Sequence, residues 1–150
     1  MFVITAGAKI TNQVLGKEPV DLEFKLGEVR FAGYTKTPGV QLLAVAIVYP
    51  EPGRYTASSR PAKYEVALDN DRVRAWRLKL NPGESAPTIR QTAPGARFVV
   101  AGGTIAEKRN GTPDQPLVLK SHDFVSMPAE ERGIENIGNS PVEIVEIELK

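Results

Sequence analysis

The chain has 150 residues, nineteen of them basic and eighteen acidic, a balance with no electrostatic footprint for nucleic acid. It has no cysteine and a single histidine, which excludes disulfides, thiolate metal sites, cysteine nucleophiles and any multi-histidine metal site within one chain. Its hydrophobic share of 41% and charged share of 25% describe a globular protein long enough to bury a core without staples.

The N-terminus, Met1-Phe2-Val3-Ile4-Thr5, has no basic stretch before its apolar residues and does not read as a secretory signal. The longest apolar run, Val40 to Tyr49, is broken by Gln41 and falls well short of the ~20 residues of a membrane-spanning helix. A cytoplasmic location is the expectation. Twelve prolines and thirteen glycines punctuate the chain, and helical periodicity is almost nowhere. Short β-rich runs are predicted instead at Phe2–Ile10, Val20–Phe24, Glu28–Phe31, Val40–Tyr49, Tyr64–Leu68, Arg72–Leu80, Ala96–Val100, Thr104–Lys108, Pro116–Leu119, Asp123–Ser126, Gly133–Asn136 and Val142–Leu149. Asn110-Gly111 is a hairpin-turn signal between two of them. Many short strands with regular turns imply an all-β sandwich or barrel.

An internal repeat is visible. Phe2-Val3-Ile4-Thr5-Ala6-Gly7 matches Phe98-Val99-Val100-Ala101-Gly102-Gly103, an offset of 96 (98 − 2). Leu22-Glu23-Phe24 to Val29 matches Leu117-Val118-Leu119 to Phe124, an offset of 95 (117 − 22). After a shorter loop, Val40-Gln41-Leu42-Leu43-Ala44-Val45 matches Val142-Glu143-Ile144-Val145-Glu146-Ile147. Residues 1–50 therefore read as the back half of a module whose complete version spans 63–150. Residues 51–62, rich in proline, glycine and serine, read as a linker.

Residues 64–150 resemble the cupin superfamily, the RmlC-like jelly rolls. Asp69-Asn70-Asp71-Arg72-Val73-Arg74-Ala75-Trp76 is similar to the opening strand of small bacterial cupins, and Pro82-Gly83-Glu84-Ser85-Ala86-Pro87 to the start of the first cupin motif. His122-Asp123, Pro128-Ala129 and Ile134-Glu135-Asn136 follow the frame of the second. The resemblance implies an all-β cupin double-stranded β-helix at 63–150, preceded by a half-cupin β segment at 1–50. A cupin holds a small-molecule or metal site inside its barrel.

The departures from the motifs direct the functional expectation. The two histidines of the first motif fall on Ile89 and Gln91, its glutamate on Gly95 or Ala96, and the histidine of the second on Arg132 or Gly133. A transition metal needs several imidazole or carboxylate ligands converging on one point, so no metal and no cofactor are expected. Ile89, Gln91, Arg132, Trp76 and Phe98 are the candidate ligand-pocket residues. Arg90, Arg97 and Arg132 are weighed as an anion pocket, since guanidinium groups fork onto carboxylate or phosphate. Strand alternation, however, turns Arg90 outward if Ile89 and Gln91 point in. His122, in the place of a turn glycine, reads as an exposed turn residue. Glu130, Glu131 and Glu135 read as a solvated group, and no catalytic residue is assigned.

The expected function is a metal-free cupin that binds a small molecule or acts structurally. The alternatives are an enzyme whose metal or catalytic groups come from another subunit, and a truncated bicupin without activity. A homodimer is expected, because Val40 to Val48 carries no charge on either face and a half jelly roll leaves sheet edges open.

Overall fold

The structure is a computed structural model that describes residues 2–6, 8–12, 18, 20–30, 41–44, 53–109 and 112–150. Every regular element among these is a β-strand. The chain divides into two compact units, Met1–Val48 and Tyr49–Lys150.

Among the described residues the first unit has five strands: β1 (Phe2–Ala6), β2 (Ala8–Asn12), β3 (Val20–Phe24), β4 (Val29–Arg30) and β5 (Gln41–Ala44). They form one sheet in the order β4-β1-β5 and a two-stranded sheet, β2-β3. Of the predicted run Val40–Tyr49, the backbone of Gln41–Ala44 is described as β5. Residues 45–49 and every side chain from 41 to 49, on which the dimer expectation rests, lie outside the described residues.

Among the described residues the second unit has nine strands: β6 (Tyr64–Asp69), β7 (Val73–Leu80), β8 (Ser85–Arg90), β9 (Gly95–Ala101), β10 (Gly103–Arg109), β11 (Thr112–Leu119), β12 (Phe124–Met127), β13 (Glu131–Asn136) and β14 (Val142–Leu149). A five-stranded sheet, β12-β9-β14-β7-β6, faces a four-stranded one, β11-β10-β13-β8. Both are antiparallel. Trp76, Leu78, Leu80, Val99, Val142 and Ile144 from the first sheet meet Ala86, Ile89, Ile105, Leu119 and Ile134 from the second in one apolar core. β14 is buried on both faces, with Ile144, Glu146 and Glu148 inward and Val145 and Ile147 on the other side. Such two-faced burial is why its sequence lacks a clean alternation. β8 is absent from the predicted elements and carries Pro87, which lacks an N–H to donate. β8 is the edge of its sheet, where a proline is tolerated.

Pairings of the first unit recur in the second at a single offset of 95. Ile10 pairs with Leu22 as Ile105 pairs with Leu117, and Val3 with Val29 as Phe98 with Phe124 (105 − 10, 117 − 22, 98 − 3 and 124 − 29 all equal 95). The turns match as well. Gly27 N donates to Ile4 O as His122 N donates to Val99 O, and Glu28 N to Lys25 O as Asp123 N to Lys120 O. Gly27 has φ 75° and His122 φ 74°. That left-handed conformation favours glycine, so a glycine is the expected residue at this turn, and His122 holds the position in its place. The first sequence match therefore slips by one residue: Val3, not Phe2, corresponds to Phe98.

Candidate functional site

The polar end of the barrel is built from six inward-facing segments. The register of β7, β14 and β9 sets Trp76, Glu146 and Arg97 side by side on the inner face. β13 contributes Arg132, the residue after β8 contributes Gln91, and the stretch before β6 contributes Ser58 and Arg60. The side chains of Arg60, Arg132 and Glu148 have no solvent exposure.

Glu146 is the hub. Arg97 donates to it from Nε at 2.9 Å and Nη2 at 2.7 Å, Arg132 Nη2 donates at 2.9 Å, and Arg60 Nη1 completes the ring. Arg132 Nη2 also donates to Gln91 Oε1 at 2.7 Å. Gln91 Nε2 in turn donates to the Ala93 carbonyl at 2.8 Å. Glu148 anchors the segment that reads as a linker: its carboxylate accepts from Ser58 Oγ at 2.7 Å, Ser58 N at 3.2 Å, Thr92 N at 3.0 Å and Ala93 N at 3.2 Å. Arg97 Nη2 lies 2.7 Å from Glu107 Oε1, and Arg109 reaches Glu107 and Glu130 from the rim. Arg60 stacks over Tyr64 and Trp76 at 5.2 and 5.4 Å from their ring centroids.

Buried arginines 60, 97 and 132 thus stand against buried glutamates 107, 146 and 148, so the interior is charge-balanced. Burial pushes the Glu146 carboxyl up, but Arg97, Arg132 and Arg60 together outweigh it and hold it at about 2, below its ordinary 4.5. Burial likewise opposes ionisation of Glu107, and Arg97 and Arg109 overcome it, leaving that carboxyl below its ordinary value. Burial, with Glu146 beside it, pushes the Tyr64 hydroxyl up to about 12. It stays a neutral hydroxyl.

A cavity of about 310 Å³ opens over this cluster, lined by Arg90, Gln91, Thr92, Ala129, Glu130 and Glu131. Gln91, only 2% exposed, forms its floor, with Arg132 directly behind.

Of the sequence-predicted residues, Ile89, Gln91, Arg132 and Trp76 face the barrel interior, and Arg90 faces out. Phe98 does not join them. It pairs with Val145 on the opposite face of the sheet and stacks with His122, ring centroids 6.2 Å apart. Arg97 and Arg132 meet on Glu146, away from Arg90. Glu135 is paired with Lys108 at 3.0 Å and Glu130 with Arg109 at 3.5 Å, while Glu131 is exposed. Arg60, Ser58, Tyr64, Glu146 and Glu148 escape the sequence reading. The available signal was the Ile144-Glu146-Glu148 alternation on a strand whose other face is Val145 and Ile147.

No family model matches the chain, and no curated protein matches it. Solved structures do. The chain is similar to a cupin domain protein of Bordetella pertussis Tohama I, with 22% identity, a TM-score of 0.55, and coverage of 61% of this chain and 97% of that one. The fold is that of the cupins. Two further cupins are similar at lower scores. One is an RmlC-like protein of Methanocaldococcus jannaschii with a double-stranded β-helix (13% identity, TM-score 0.49, 69% of this chain and 93% of that). The other is a cupin superfamily protein of Desulfitobacterium hafniense DCB-2 (19%, 0.45, 68% and 91%).

A metal of the kind many cupins carry does not fit these residues. Ile89 has no donor atom. Gln91 and Arg132, to which the sequence resemblance assigns motif histidines (with Gly133 the alternative to Arg132), are hydrogen-bonded to each other. Gly95 points inward, but a Cβ built there would lie 1.8 Å from the Ile147 carbonyl oxygen. Ala96 pairs with Ile147, which puts it on the outer face. Among the described residues, no three His, Cys, Asp or Glu side chains converge on a point. The inward carboxylate Glu146 is committed to three cations.

Proposed function

We propose that this chain is a cupin that works without a metal and holds a small molecule at the mouth of its barrel. The observation that carries the reading is the Arg132–Gln91 bond of 2.7 Å. It joins a donor and an acceptor at positions where the sequence resemblance would put metal ligands, and Gln91 lines an open cavity of about 310 Å³. A cavity of this size, with a few polar groups converging at its base, is a common ground plan for small-molecule sites. Elemental analysis of the purified protein tests the first half: well under one transition metal per chain is expected, and one zinc, iron, manganese or nickel per chain overturns it. A thermal-shift screen of small metabolites tests the second.

A second reading, descent from a protein with two cupin domains, is supported by the pairings that recur at an offset of 95. On that reading residues 1–50 are a retained barrel half. It concerns origin, and it is compatible with the first. Among the described residues no helix is long and apolar enough to cross a membrane.

A further inference from the structure

We propose that residues 53–62 are a strap that shuts a cation site inside the barrel, with Arg60 lodged where a small guanidino compound would sit. The proposal goes beyond the mouth cavity, whose lining does not include Arg60, and does not depend on it.

Residues 53–62 belong to no strand and contribute no side chain to the apolar core. Gly53, Arg54, Thr56, Ser59, Pro61 and Ala62 are exposed. Polar groups pin the segment down. Ser58 donates to Glu148 from N and Oγ, and the Thr56 carbonyl accepts from Thr92 Oγ1 at 2.7 Å. Arg60 sends a side chain with no solvent exposure down to Glu146. Lifting the strap takes no side chain out of the core and leaves neither carboxylate bare. Glu146 keeps Arg97 and Arg132, and Glu148 keeps the Thr92 and Ala93 amides. A surface segment outside the apolar core is the kind that opens without global unfolding.

Opening uncovers a place already shaped for one kind of cation. The Arg60 guanidinium lies over the rings of both Tyr64 and Trp76, and aromatic faces attract a flat, weakly hydrated cation. Its Nη1 donates to Glu146, and its Nη2 faces Gln91 Oε1 at 3.4 Å and Glu148 Oε2 at 3.6 Å. With Arg60 withdrawn, Arg97, Arg109 and Arg132 stand against Glu107, Glu130, Glu146 and Glu148. One carboxylate is in excess, and it is Glu148, whose neighbouring guanidinium is that of Arg60. Arg74, also over Trp76 at 5.6 Å, is paired with Asp69. The excess charge calls for a cation. The two ring faces and the spread acceptors favour a planar, forked guanidinium over a compact ammonium ion.

The test uses the full chain and methylguanidine, with N-methylurea as the neutral isostere and methylammonium as the compact cation. In Arg60→Ala, methylguanidine is expected to shift the NMR signals of the Trp76 indole and the Gln91 side-chain amide at millimolar concentrations. Both controls should bind at least ~10-fold more weakly. Wild type should also bind methylguanidine at least ~10-fold more weakly than the variant, because its own Arg60 competes. In wild type, hydrogen exchange at the Ser58 amide should outpace that at Val145 and Ile147 by about 100-fold or more, through local opening. Equal binding of N-methylurea, or no methylguanidine shift in a folded Arg60→Ala, overturns the cation site and leaves the mouth cavity untouched. If Arg60→Ala is unfolded alone, methylguanidine should fold it and N-methylurea should not; failure of methylguanidine to do so overturns the cation site. Equal binding by wild type and variant overturns the role of Arg60. Ser58 exchange as slow as that of Val145 and Ile147 overturns the strap, a readout that needs no variant.

Discussion

Replacing Glu146 with glutamine keeps the shape of the hub and removes its charge. Three guanidiniums then share a buried space with two carboxylates, Glu107 and Glu148. Breaking a buried ion pair from one side costs about 3–5 kcal/mol. The depressed Glu146 carboxyl points the same way. The three guanidiniums hold it at about 2 against its ordinary 4.5, a difference worth roughly 3 kcal/mol at about 1.36 kcal/mol per unit. Because the folded value is the lower one, this stability is present in full above pH 4.5 and is lost as the pH falls toward 2. Urea unfolding of wild type and Glu146→Gln, at intervals from pH 7 to pH 2, reads both effects. At pH 7 the variant should be about 3 kcal/mol less stable, a midpoint shift of about 1–3 M at the usual urea slopes. The gap should close as the pH approaches 2. A loss below about 1 kcal/mol at pH 7, or a gap unchanged across the range, would refute an ionised Glu146 at the centre of the cluster.

Other substitutions probe separate parts of the frame. Asn136 donates to the Leu80 and Ser140 carbonyls and accepts from Gly138 N. Asn136→Ala should therefore cost ~2–3 kcal/mol in chemical denaturation, from polar groups left unpaired. Gly95→Ala should cost more than ~2 kcal/mol, because its Cβ would collide with the Ile147 carbonyl and backbone must move. Glu148→Ala should lower the melting temperature by leaving the Ser58, Thr92 and Ala93 amides without their acceptor. Added acetate, a carboxylate of matching size, should restore part of the loss, and chloride at equal ionic strength should not.

The fold was legible because β-runs, turn residues and motif frames agree with one another. Gln91 and Arg132 were legible as a pair of inward positions through the same frame. The rest of the site was hidden for particular physical reasons. Arg60 and Ser58 lie in a proline-flanked stretch with no periodicity, and only long-range contacts to Glu146 and Glu148 give it an address. Glu146 and Glu148 have the look of a solvated strand face, yet have no exposure, because their cations come from three distant segments. Phe98 was grouped with the pocket because aromatic character does not say which face of a strand is inside. One residue of register decides that.

The contact at Gly95 also limits what the barrel can be made to hold. In the alignment to the cupin motif, this position or the next would carry the metal-binding glutamate. Restoring one there is not a single step. The backbone of β14 already occupies the space at Gly95, and Ala96 points away from the interior. Recovering a ligand set would mean moving two strands apart, parting Gln91 from Arg132, and finding new partners for three arginines. Each change alone lowers stability before any metal can repay it. A barrel whose strands close over this position leaves no room for a side chain there, so any residue larger than glycine must first displace the backbone of β14.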